Sequence, residues 1–319
     1  MKSLEEELAK ARAAYRNWGR WGEDDVLGTL NFIDDEKRAR AASLVRRGRS
    51  ISLAQRFGED GPQNGFRGRI NPQHYMKDTG SDAWAETQGF PHGFGGCDDH
   101  VVMPLQSSTQ WDGLGHIFDR KQAWNGRPCT IVDGTGDHVT GIENMASQFV
   151  SRGVLLDAGR ALGENGELPD GFAITEEHLE QIISLQGPTS AVGRGDIVLL
   201  RTGQLGRCRR QGSWGDYAGG AAPGFSFTSL GWLHRTEIAA AATDTWGFEV
   251  RPYEFPGHVF SPVHQIAIPN MGLLLGEMFD LEELGEECAA DGVYEFLLVA
   301  GPLPVTGAVG APVNPIAVK

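Results

Sequence analysis

Between Gln106 and His116 the chain reads Gln-Ser-Ser-Thr-Gln-Trp-Asp-Gly-Leu-Gly-His, and its last seven residues bring together an amide, a carboxylate and an imidazole. Asp112 and His116 are separated by Gly113-Leu-Gly115, a spacer too rich in glycine for a comfortable helix, so the backbone can turn sharply and aim both side chains at one point. A hard carboxylate oxygen beside an imidazole nitrogen suits Zn²⁺ or Mn²⁺. A second polar cluster lies far downstream, in His258-Val-Phe-Ser-Pro-Val-His264 and in Gly272-Leu-Leu-Leu-Gly-Glu277. A carboxylate embedded among leucines is costly to bury without a cation or a donor, so Glu277 needs a partner, and a metal is one.

Taken singly, an Asp or His in a glycine-rich loop is more often a turn-former than a ligand. Asp112 and His116 in one loop, with Glu277 downstream in need of a partner, together point to a metal site. His100 and His138 read as ordinary polar residues, and His258 as a donor standing behind the ligands. Other chemistries lack their signatures. No G-x-S-x-G elbow is present, and Gly93-Phe-Gly-Gly96 has neither the spacing nor the lysine of a phosphate loop.

The elements that must position these residues follow from hydrophobic periodicity. Leu4, Leu8, Ala11 and Tyr15 share one face of an N-terminal helix, an arm over about residues 1–20. Residues 58–96 are dense in Gly, Asp, Asn and Pro, which predicts a long irregular excursion, a lid or an interface. Val101-Val-Met103 reads as a strand leading into the metal loop, and 153–157 and 196–200 as buried central strands. Thr175, followed by Glu176 and Glu177, opens a helix that Gly187 ends. A second helix is expected over Ser229–Ala241, and Arg207-Cys-Arg209-Arg210 reads as a solvated loop. The pattern is α/β, a mixed sheet-rich body with a few packed helices, in a single domain spanning 1–319.

With 319 residues and 40% apolar content, the chain can bury a sizeable core. Its formal charge of −14 argues against a nucleic-acid partner. The four cysteines stand singly, which fits a reducing cytoplasm, and no apolar run approaches the roughly 20 residues of a membrane span. The expected partner is a small-molecule substrate.

These residues also carry a family resemblance. The chain resembles the metal-dependent cyclase-family hydrolases, which include kynurenine formamidase and isatin hydrolase, and whose signature is H-x-G-T-H-x-D-x-x-x-H. Thr109, Asp112 and His116 match at the right spacing, while Gln106 and Gln110 stand at the first two histidines and Ser108 at the glycine. The glutamines, with Trp111-Asp112-Gly113, are similar to a longer branch that includes zinc-dependent trans-dienelactone hydrolase. The resemblance covers roughly residues 95–318. It implies the swivelling β/β/α cyclase-like fold, a homodimer or homotetramer, and one divalent metal per chain, Zn²⁺ or Mn²⁺. The ligands it implies are Asp112, His116, His264 and Glu277, with Gln110 as a weak further ligand and Gln106 behind them.

The implied reaction is hydrolysis of a lactone, cyclic amide, imide or formamide by metal-activated water. His116, Glu277 and His264 are all candidates for the base. Trp111, and Trp84 and Phe94 from the excursion, are candidate walls for a planar substrate. Arg251 is expected to pair with Glu249 or Glu254 in preference to a substrate carboxylate. Two other readings stand beside hydrolysis: a catalytically altered ligand-binding protein, and a metal-dependent cyclase or dehydratase.

Overall fold

The computed structural model describes residues 3–257 and 259–319. Its centre is a nine-stranded mixed sheet. In chain order the strands are β1 (Ser50–Ser52), β2 (Gln110–Asp112), β3 (Val150–Asp157), β4 (Ile197–Arg201), β5 (Ala240–Thr243), β6 (Leu274–Glu277), β7 (Glu295–Val299), β8 (Gly310–Pro312) and β9 (Ile316–Val318). They lie side by side as β1-β9-β7-β3-β4-β5-β6-β2-β8. The four central strands, β3 to β6, run parallel, and every pairing outside them is antiparallel.

Parallel strands need crossovers, which cover both faces of the sheet and bury their side chains on each. That explains why these strands read as continuous apolar runs. Leu155, Leu199, Ala240 and Leu274 enter one core, and Val154, Leu156, Val198, Leu200 and Leu275 the other. The helix Glu176–Gln186 makes the β3-to-β4 crossover, opened by a Thr175 capping box with His178 and closed by Gly187 at φ 83°. The N-terminal helix Leu4–Tyr15 begins at Ser3, also with a capping box, and buries Leu8, Ala11 and Arg12. Arg12 pairs with the buried Asp119 at 2.6 Å.

Four local expectations change. The helix expected over Ser229–Ala241 is confined to Leu230–Arg235, and the alanine run becomes β5, because burial in the sheet interior outweighs alanine's helix preference. The arginine-rich segment lies on the helix Gln204–Gln211, where Arg207, Arg209 and Arg210 are drawn to Asp170, Asp280 and Glu167. The excursion is not wholly irregular. It contains the strand Gln73–Asp78 and the short helix Gly80–Trp84, and that strand pairs with Asp98–Val102 in an exposed two-stranded arm. Val101 and Val102 belong to this arm, and the strand that carries the metal motif is Gln110–Asp112 itself. Among the described residues no helix is long and apolar enough to cross a membrane.

Candidate metal centre

Strand pairing brings the two halves of the site together. In the antiparallel register of β2 against β6, Gln110 faces Glu277, Trp111 faces Gly276 and Asp112 faces Leu275. Side chains alternate along a strand, so Gln110, Asp112 and Glu277 emerge on one face and Trp111 on the other. Gln110 Nε2 donates to Glu277 Oε2 at 2.9 Å. Thr109, shared with the family signature, ties the strand down: its hydroxyl donates to the Met278 carbonyl at 2.6 Å and accepts from the Gln55 amide.

After Asp112 the chain turns, the His116 amide donating to the Gly113 carbonyl at 3.1 Å. The two glycines are required by close approach. A Cβ on Gly115 would stand 2.1 Å from Asp137 Oδ2, and one on Gly113 would stand 2.9 Å from the Val309 carbonyl. His116 Nε2 ends 3.8 Å from Asp112 Oδ1, with its ring partly exposed.

His264 arrives from the opposite side, on the short helix Pro262–Ile266. Glu249 holds that helix start, accepting from the Val263 amide at 2.9 Å and the His264 amide at 3.1 Å. The same carboxylate lies 2.6 Å from His264 Nδ1, so it also orients the ring. Nε2 is thereby aimed at Glu277 Oε1, 3.2 Å away, and Asp112 Oδ2, 3.8 Å away. Nothing in the spacing of Glu249 marks it as a partner of His264; only its acidity within an apolar run hints at a buried role.

Asp112, His264 and Glu277 are buried, with ligand atoms all within 4.8 Å of one another. Burial pushes the Asp112 carboxyl above the usual carboxylate range. Burial also works against ionisation of Glu277, but the hydrogen bond and charge of His264 prevail and hold it below that range. For His264, burial opposes the charged form, and hydrogen bonds to Glu249 and Glu277 outweigh it and raise its pKa well above the ordinary value. Asp112 Oδ1 and Gln110 Oε1 are buried acceptors without a hydrogen-bond donor. These two orphaned oxygens, with the Glu277 carboxylate and the His264 imidazole, form a donor set that fits a divalent cation.

The remaining expected residues are placed differently. Trp111 does not wall the site: it is fully buried in the opposite core, stacked on Phe149 at 4.6 Å, with its indole N–H donating to the Ala300 carbonyl. The alternation that points Gln110 and Asp112 at the centre turns Trp111 away. Trp84 and Phe94 lie on the exposed part of the excursion, 90% and 68% accessible, away from the residues that line the cleft. The Gln106 amide lies against Gly310 and lacks a partner for Nε2. His258 falls outside the described residues.

The centre opens to a cleft of about 440 Å³, including its solvent-facing mouth. His116, His264 and Glu277 form its base and Trp246, Tyr253 and Phe260 its aromatic walls. Arg67, Arg69 and Arg251 also line it. Arg251 does not pair with Glu249 or Glu254. Its guanidinium donates to the Gly219 carbonyl, because Glu249 is taken by His264 and Glu254 by Ser226 and the Phe227 amide.

Comparison with known proteins agrees with this architecture. A family model described as "Putative cyclase" matches residues 51–250. A crystal structure described as a novel cyclase is 37% identical, covers 97% of this chain and 99% of its own, and superposes with a TM-score of 0.86. Isatin hydrolase A from Ralstonia solanacearum shares the fold at 17% identity and TM-score 0.60, covering 84% of this chain and 91% of its own. A protein from Bacillus stearothermophilus described as a predicted metal-dependent hydrolase does so at 14% identity and TM-score 0.52, covering 84% and 97%. None of the curated proteins searched matches this chain. With that family match over most of the chain and a near full-length relative of the same architecture, the protein belongs to the cyclase family and has its mixed α/β cyclase fold.

Proposed function

We propose that this protein is a metal-dependent hydrolase that opens a C–O or C–N acyl bond in a small cyclic substrate: a lactone, a cyclic amide or imide, or a formamide. The observation that carries this reading is the buried convergence of Asp112, His264 and Glu277 at the base of an aromatic-walled cleft. Those three residues would hold one Zn²⁺ or Mn²⁺, with Gln110 Oε1 and His116 at its edge. When bound, such an ion supplies Lewis acidity toward an acyl oxygen and toward water.

The chain's own residues do the rest. Glu249 accepts from His264 Nδ1–H and keeps Nε2 turned toward the two carboxylates. Gln110 fixes Glu277 through its amide nitrogen and leaves its oxygen facing the centre. Such outer contacts orient ligands and tune their basicity. His116, at the cleft base and partly open to solvent, is placed to take a proton on its imidazole and return it to the leaving oxygen or nitrogen. A positioned acid–base group of this kind contributes about 10²–10⁴-fold in rate. The reading includes a cytoplasmic homodimer or homotetramer.

The test is a ring-opening screen of the zinc- and manganese-loaded protein against lactones, imides and formanilides, with product analysis to separate hydrolysis from cyclisation or dehydration. Turnover that disappears in Asp112→Ala and His264→Ala variants supports the reading. Full metal occupancy with no turnover of any member of the panel would sink it in favour of a ligand-binding protein.

A further inference from the structure

The three arginines of the cleft have no carboxylate partner. Among the described residues the side chains of Arg67 and Arg69 make no ion pair or hydrogen bond, and the side-chain hydrogen bond of Arg251 goes to a backbone carbonyl. Arg67 is exposed and Arg69 and Arg251 are partly buried; elsewhere Arg12 is matched with Asp119, Arg152 with Asp196 and Glu295, and Arg201 with Asp157 and Glu282, while the partly buried Arg127 is satisfied by three backbone carbonyls.

The three are also crowded together. Arg69 and Arg251 both stand over the Trp246 ring, 5.3 and 5.5 Å from its centroid. Arg251 also faces Tyr253 at 5.5 Å and Phe66 at 5.8 Å, and Arg67 lies 4.9 Å from Phe260. Guanidinium groups gathered on one indole repel one another, and aromatic faces repay only part of that cost. No acidic residue of the cleft pairs with them directly: Glu249 is committed to His264 and the helix start, and Glu277 to Gln110, His264 and the Phe248 amide, so Arg69 meets Glu277 and Asp112 only through longer-range attraction. In a chain of net charge −14, this mouth is a local concentration of positive charge.

We infer that Arg67, Arg69 and Arg251 form a receptor for a planar carboxylate, so that the substrate of the metal centre carries an anionic group apart from the acyl bond that is cleaved. The aromatic residues set the ligand's shape, a flat ring or conjugated chain lying along Trp246 and Tyr253, and the planar donor forks of arginine select a carboxylate. The inference deepens the hydrolase reading and rests on it for the word substrate.

Its test is a binding measurement independent of turnover. Calorimetric titration of the full chain, zinc-loaded and chelator-treated, would compare benzoate with the neutral isostere benzamide. Variants are Arg67→Gln, Arg69→Gln, Arg251→Gln, Arg251→Lys and the Arg69→Gln/Arg251→Gln pair, each checked for native circular dichroism. Benzoate is expected to bind about tenfold or more tighter than benzamide with or without zinc, with affinity falling as salt rises. That preference should shrink to about twofold in the double variant and persist in part in Arg251→Lys. Equal affinity for the two probes, a preference untouched by the glutamine variants, or no saturable binding of benzoate overturns the receptor. A chain that selects benzoate through its arginines yet opens no ring, carboxylated or neutral, leaves the receptor standing and removes the hydrolase reading.

Discussion

Glu249 holds His264 at both ends of the residue: one carboxylate accepts the backbone amide of His264 at 3.1 Å and lies 2.6 Å from its ring Nδ1. The helix start and the imidazole are thus oriented by a single group, and Nε2 has little freedom to leave the centre. Replacing Glu249 with Gln keeps an acceptor but removes the charge and sets an amide N–H₂ against the Val263 amide. Zinc affinity should fall about 10–100-fold with the fold retained, read by competition with a chromophoric chelator.

The ligand set predicts the metal content. Purified protein reconstituted with zinc or manganese should hold about one ion per chain, measured by plasma mass spectrometry. Asp112→Ala and His264→Ala should each lose it while keeping native circular dichroism. Gln110→Ala, which removes a neutral oxygen donor, should weaken binding without abolishing it.

The pH dependence follows from His264, whose folded pKa lies well above its ordinary value of 6.5. A raised histidine pKa adds stability that is complete below the ordinary value and is lost as pH rises through the folded one. Chelator-treated protein should therefore lose thermal stability as pH rises above about 6.5. A metal competes for the same Nε2, so zinc affinity should climb over that window, and calorimetry in buffers of different ionisation heat should detect proton release. A flat metal affinity from about pH 6 to 9 would contradict this arrangement.

Trp111 is a test of core against cleft. Trp111→Ala removes a fully buried indole and should cost about 3–5 kcal/mol in chemical denaturation. Trp84→Ala, on the exposed arm, should shift stability by less than about 0.5 kcal/mol and leave metal affinity unchanged.

Asp244 is buried, and burial pushes its carboxyl up to about 6. It nevertheless accepts from the Thr202 amide and hydroxyl and from the Gly203 amide, at 2.7–2.8 Å, tying the ends of β4 and β5 together. Asp244→Ala strands those donors and should destabilise the fold by about 1–3 kcal/mol, read from the denaturation midpoint.

Chemical identity and local pattern were legible in the chain alone. Asp112 and His116 are neighbours across a short glycine turn, and an acidic residue in the leucine run at Glu277 calls for a partner wherever it is buried. The helix Glu176–Gln186 and strands β3 and β4 carry caps and apolar runs that declare themselves within a window of about a dozen residues. What tertiary structure decided is everything that depends on which strand lies beside which. Gln110 faces Glu277 only because β2 pairs with β6 in one register, and a shift of a single residue would exchange Trp111 for the two ligands. The alanines of β5 became a strand through burial between β4 and β6. Glu249 and the cleft arginines come from segments distant in sequence or lacking periodicity. Their partnerships, and for the Arg67 and Arg69 side chains the lack of one, arise from long-range packing, which leaves no local spacing to read.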